Sequence, residues 1–150
     1  MTPDEMQREA TQLMLKRFHC SQAVAAVGIK KLGLNSYEII KAMGAFGGGL
    51  GGNGEVCGAV VGGLAVIGLM FSRGKEEELE DRRMWLYTRE FLRRFSQEIG
   101  EGHILCRDII RVDWTNREEV KAFYRGKSQK CIDLVGKTAR MLGVMMDEMT

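Results

Sequence analysis

The chain has 150 residues, 45% hydrophobic and 28% charged, with a net charge of +2 from 22 basic and 20 acidic side chains. That length suits one hydrophobic core rather than two, so residues 1–150 are expected to form a single domain. The basic residues are interspersed with acids instead of gathered in a stripe, which argues against nucleic-acid binding.

The amino-terminal MTPDEMQREATQLML has acids early and lacks the basic-then-apolar order of a secretory signal, so a cytoplasmic location is expected. Pro3 is the one proline, and no segment alternates with period two, which predicts an all-α protein. Residues 4–17 set Met6, Leu13, Met14 and Phe18 along one side of a first helix, with acids in the first turn where the helix dipole favours them. A second helix starts at Cys20 or Ser21 and stops at Gly33. Asn35 or Ser36 can cap a third, YEIIKAMGAF, which gives way to a glycine loop over 47–54.

Phe46 to Gly63, FGGGLGGNGEVCGAVVGG, holds nine glycines around Cys57. Each glycine inside a helix costs roughly 0.5–1 kcal/mol, so something other than local stability favours them and the segment reads as a site. From 55 to 71, Gly58 with Gly62 and Ala59 with Gly63 share a helix face that lets another backbone come close. This is the expected central helix of a compact bundle of about six to seven helices, the count following from the periodic segments. Its uncharged run from Val56 to Phe71 is too short and too closely flanked by charge to suggest a membrane span.

Residues 75–98 predict a long amphipathic helix with Leu79, Trp85, Leu86, Phe91, Leu92 and Phe95 inside and EEELEDRR solvated. A loop at Gly100 to Gly102 leads to a short helix near 104–111. Asn116 can cap another across REEVKAFY, and Ser128 a last one across 129–148. The glycine face and the methionine-rich tail are compatible with a homodimer, although one core could satisfy both.

Cys20, Cys57, Cys106 and Cys131 include no CxxC pair, and in a reducing compartment they are not expected as disulfide staples. Each falls near a predicted helix start, where unpaired N–H groups and the dipole favour a thiolate, with a lowered pKa and raised metal affinity. Plain burial is the competing reading. His19 beside Cys20 and His103 before Cys106 read as surface residues before they read as ligands or bases. The glycine loop lacks the Lys-Ser/Thr ending of a phosphate-binding loop and precedes no predicted strand, so nucleotide binding is not expected. Instead, Gly47, Gly48, Gly49, Gly58 and Gly62 would let backbone amides approach Cys57, or a group bound there, and donate hydrogen bonds to sulfur.

CSQAV, FGGGLGGNGEVCGAVVGGLAVIGL, GEGHILCRDII and KCIDLV, in that order, resemble a family of redox-active proteins named for its four-cysteine pattern, C…CGAxxG…C…C, over residues 15–140. The resemblance places the family's cysteines on Cys20, Cys57, Cys106 and Cys131, and CGAxxG on Cys57 to Gly62. It implies a small helical protein, mainly of anaerobic prokaryotes, and a likeness to a domain of split-Soret cytochromes that is associated with an iron–sulfur centre. His19 stands where asparagine is common, DII follows Cys106 in place of an acidic-Leu-Leu-Gly run, and no CxxCH is present for covalent haem.

Three functional expectations follow. Four thiolates could hold an iron–sulfur cluster, [2Fe–2S] with four cysteine ligands, and pass electrons to a redox partner the sequence does not identify. Alternatively, Cys57 attacks and Cys20 or another cysteine resolves in metal-free thiol–disulfide chemistry. A helical binding module with zinc-bound or buried cysteines is the third reading.

Overall fold

The computed structural model describes residues 1–149. Helix α1 (Pro3–Leu15) opens with a reciprocal cap: Thr2 Oγ1 accepts from the Glu5 amide at 3.1 Å and the Glu5 carboxylate from the Thr2 amide at 3.0 Å. Helix α2 (Cys20–Lys31) ends at Gly33, and α3 (Tyr37–Ala42) is capped by Ser36 and followed by a 3₁₀ turn, Gly44–Phe46. Helix α4 (Gly58–Phe71) is followed by α5 (Arg83–Arg94), which passes into a π-helical turn, Phe95–Ile99. The short α6 (Cys106–Ile109) and α7 (Arg117–Ala122) precede a second π-helical turn, Phe123–Lys127, that runs directly into α8 (Ser128–Glu148).

The protein is all-helical: among the described residues there is no strand, and one antiparallel bridge joins Val56 to Leu105. Helix α1 packs along α8 and α2 along α4, while α4 also touches α5 and α8, so the glycine-rich helix is central as expected. Met6, Val24, Val66, Phe91 and Leu142 form the fully buried core. Space rather than conformation explains Gly62 and Gly63 of α4. A Cβ at Gly62 would lie 2.5 Å from the Ser21 carbonyl oxygen of α2, and one at Gly63 would collide with the Phe91 ring of α5. No helix among the described residues is long and apolar enough to cross a membrane.

Three expectations require correction. The helix predicted over 75–98 begins only at Arg83. Residues 72–82 instead form an irregular strap whose ends meet through the Asp81 amide and the Phe71 carbonyl at 2.8 Å. Like charges four apart, Glu76 with Glu80 and Glu77 with Asp81, oppose a helix there, and Asp81 turns to accept from the Arg83 amide at 2.9 Å. Leu79, Trp85 and Leu86 are therefore 89%, 52% and 60% exposed rather than inside. Second, Ser128 does not cap a separate helix, because α7 and α8 are continuous through the π turn. Third, α1 stops at Leu15, so Phe18 lies beyond it and is partly exposed.

The features that suggested a dimer are used within the chain. The glycine face meets α2 and α5, and Met141, Met145, Met146 and Met149 are buried.

Candidate redox site

Cys20 is the first residue of α2, Cys57 the cap of α4 and Cys106 the first residue of α6. The Val56–Leu105 bridge brings the last two together. The Cys57 amide donates to the Ile104 carbonyl at 2.8 Å and the Cys106 amide to the Glu55 carbonyl at 2.7 Å. The glycine loop folds beneath this clamp, its amides at Gly54 and Glu55 donating to the carbonyls of Gly48 and Gly49. Gly49 has φ of +71°, and a Cβ there would lie 2.6 Å from the Glu55 nitrogen and 2.7 Å from the Cys106 Cβ. Only glycine satisfies both the left-handed backbone and the contact. At Gly58 a Cβ would collide with the Cys20 sulfur.

These elements enclose a cavity of about 220 Å³ lined by all four cysteines, with Gly48 and Gly58 in its wall and Phe18, Trp114 and Tyr124 toward its mouth. Cys20, Cys57 and Cys106 are buried and Cys131 half-buried. The four cysteines line the chamber without clustering: among the described residues, no three His, Cys, Asp or Glu side chains are grouped to hold one metal ion.

The Trp114 indole N–H lies 3.4 Å from the Cys106 sulfur, while the Gly48 amide favours the Cys20 thiolate and the Ala59 and Val60 amides at the start of α4 that of Cys57. Charge on one thiol is also felt by others, Cys131 having Cys20, Cys57 and Cys106 as neighbours.

The expectation of lowered thiol pKa values is overturned. Burial pushes all four up, and the amide and indole donors offset only part of that effect. Cys131 moreover does not begin a free helix end, since the chain is already helical through the preceding π turn.

Of the other residues singled out in the sequence, Gly47 packs under His19 and Gly62 under α2, whereas Gly48 and Gly58 reach the cavity. The loop amide that finds a sulfur serves Cys20, not Cys57. His19 is exposed at the mouth, and His103 is exposed in the 100–103 turn and does not line the cavity. Sequence reasoning missed Trp114, Tyr124 and Arg17, which no local motif marks and which meet at this opening only in the folded chain, where the Arg17 guanidinium lies over the Tyr124 ring.

A family model described as "Putative redox-active protein (C_GCAxxG_C_C)" matches residues 18–145, a span containing all four cysteines. The description reads GCAxxG, whereas residues 57–62 of this chain read CGAVVG, with glycine following the cysteine. No curated protein and no solved structure matches the chain.

Proposed function

The chain belongs to the C_GCAxxG_C_C family of redox-active proteins, and from that premise we propose that Cys20, Cys57, Cys106 and Cys131 together hold an iron–sulfur cluster and that the protein is an electron carrier. One observation carries this reading: all four cysteines line one small cavity. A lone zinc ion needs its sulfurs about 2.3 Å from one centre, and the arrangement does not offer that. A cluster of several irons spreads its ligands around its own width, and four cysteines on one cavity wall match the ligand number it needs. A [2Fe–2S] cluster with four cysteine ligands is the specific form proposed, and when bound it would supply one-electron transfer.

The chain's own residues do the rest. Burial keeps the thiols protonated and makes four neighbouring thiolates mutually repulsive, so cationic iron is what would stabilise the ionised set. The Gly48, Ala59 and Val60 amides and the Trp114 indole would place partial positive charge beside sulfur, favouring the more negative, reduced state. Ile110 and Phe123 help keep the chamber apolar.

A second reading rests on the contact between Cys20 and the residue following Cys57. In thiol–disulfide exchange the Cys57 thiolate would attack a partner's disulfide, and Cys20, losing its proton, would displace the reduced dithiol and leave a Cys20–Cys57 bond. The raised thiol pKa values weigh against it, because the thiolate is the nucleophile.

Anaerobic purification with a visible spectrum and iron and acid-labile sulfide analysis tests the proposal. Stoichiometric iron and sulfide, lost in Cys57→Ser and in Cys131→Ser, are expected. A colourless protein with four titratable thiols that gains no iron or sulfide on anaerobic reconstitution would sink the cluster. Loss of two thiols on mild oxidation, abolished in Cys20→Ser, would then establish the exchange reading.

A further inference from the structure

The cavity contains no carboxylate in its lining, the segments at its rim carry exposed cations, and Asp113 is the acid lining the adjoining hollow. Residues 15–19, LKRFH, form one side of the mouth, and residues 123–128 within the acid-free stretch 121–130, KAFYRGKSQK, form the other. Lys16, Arg17, Arg125 and Lys127 are exposed, and among the described residues none has an acidic partner within 4.0 Å. Arg111 is likewise exposed and unpaired in the adjoining hollow, which shares Trp114 with the main cavity. Between these charges lie exposed apolar groups: Leu15 at 66%, Phe18 at 40% and Tyr124 at 54%, with the Arg17 guanidinium 5.6 Å from the Tyr124 ring centroid. The acidic strap 72–82 follows the far end of α4, roughly 20 Å along the helix from Cys57 at 1.5 Å per residue. A net charge of only +2 thus hides a molecule with a basic mouth and an acidic opposite end.

Two of these arginines hold left-handed backbone. Helix α2 ends in a left-handed turn at Gly33, where the Gly33 amide donates to the Lys30 carbonyl and the Leu34 amide to the Ile29 carbonyl. Helix α1 ends in the same turn, with Arg17 donating to the Met14 carbonyl and Phe18 to the Leu13 carbonyl, but the left-handed residue, φ +68°, is an arginine. Arg111, φ +58°, takes the equivalent position after α6. Leu50 and Glu101 are left-handed as well, so the conformation is not confined to the mouth; what Arg17 and Arg111 add there is an exposed guanidinium each.

We infer that this face docks an acidic redox protein, a partner whose carboxylates ring the edge of its own cofactor, seated on Leu15, Phe18 and Tyr124 with Arg17 and Arg111 as charged anchors. The inference rests on the reading of the cavity as a redox centre, for which it supplies the route of electron exchange. Small, charge-steered, apolar-centred contacts suit transient electron-transfer complexes, which must form fast and separate. A polyanionic strand would favour a continuous basic track, whereas here a few cations encircle an apolar opening.

The test titrates the full-length protein with a flavodoxin, an acidic flavin-mononucleotide carrier, at low and at physiological ionic strength, reading association calorimetrically. The wild type is expected to bind, more weakly in salt. Arg17→Gly/Arg111→Gly should bind about tenfold more weakly, two rim charges being removed. Its melting temperature should not fall, because glycine relieves both left-handed positions. Arg17→Lys/Arg111→Lys should retain most of the affinity, and Lys75→Ala on the acidic strap all of it. The inference is overturned if the wild type does not bind, if the glycine variant binds equally well, or if cytochrome c, single-stranded DNA or phosphatidylserine vesicles bind as tightly as the flavodoxin. Because association is read without electron transfer, the two proposals fail separately. A protein that lacks iron but binds would sink the cluster alone, and an iron-loaded protein that does not bind would sink the docking face alone.

Discussion

The glycines of the 47–54 loop and those of α4 are neighbours in sequence and opposites in physical role. In the loop they are selected by backbone angle: Gly49 at φ +71° lets the chain turn back under Glu55 and reach the Cys106 Cβ. In α4 the backbone is ordinary helix and the missing Cβ is what counts, since Phe91 fills the volume above Gly63. One composition therefore builds both the floor of the cysteine cavity and the tight helix crossing behind it.

The contrast can be broken from either side. Gly49→Ala should have the largest effect, a loss of about 2–4 kcal/mol combining left-handed strain with a clash against the Glu55 backbone. Chemical denaturation would measure it, and trimming a side chain should not restore it because the clash is with main chain. Gly63→Ala should cost about 1–3 kcal/mol by overpacking. Here Phe91→Leu in the same chain should recover part of the loss, giving a favourable coupling in a double-mutant cycle. If the two alanine variants respond alike to Phe91→Leu, the distinction between angle and volume fails.

A smaller effect per group separates the two regions by pH. The core behind α4 is hydrocarbon, whereas the cavity holds thiols whose pKa values burial has raised. An unfolded cysteine ionises near pH 8.5, and the folded chain retains that proton to higher pH. The stabilisation from each thiol is thus complete below about pH 8.5 and declines above it, by about 1.4 kcal/mol per pH unit per thiol until the folded group also ionises. Urea midpoints of the metal-free protein should fall in this alkaline window. The fall should be shallower in Cys57→Ala, and equal slopes would contradict the assigned burial.

Much of this was legible locally. The acids in the first turn of α1, the start of α2 at Cys20, the Ser36 and Asn116 caps and the breaks at Gly33 and the 100–102 turn depend on a few adjacent residues, and the chain shows them where expected. The strap at 72–82 was not legible from apolar spacing, because Leu79, Trp85 and Leu86 fit a helical period while repulsion between close acids decided the outcome. Periodicity records which side chains could share a face, not whether that face finds anything to cover it.

The sequence by itself determined the helical class, the central glycine-rich helix and the four-cysteine pattern that marks the family, since these follow from spacing and residue type along the chain. Tertiary structure alone decided that the four sulfurs share one chamber, through a bridge between Val56 and Leu105 that joins segments 49 residues apart. It also reversed the direction of the thiol pKa shifts. A helix start is a local property that favours the thiolate, but desolvation depends on everything packed around the sulfur, and at these four positions burial is the larger effect.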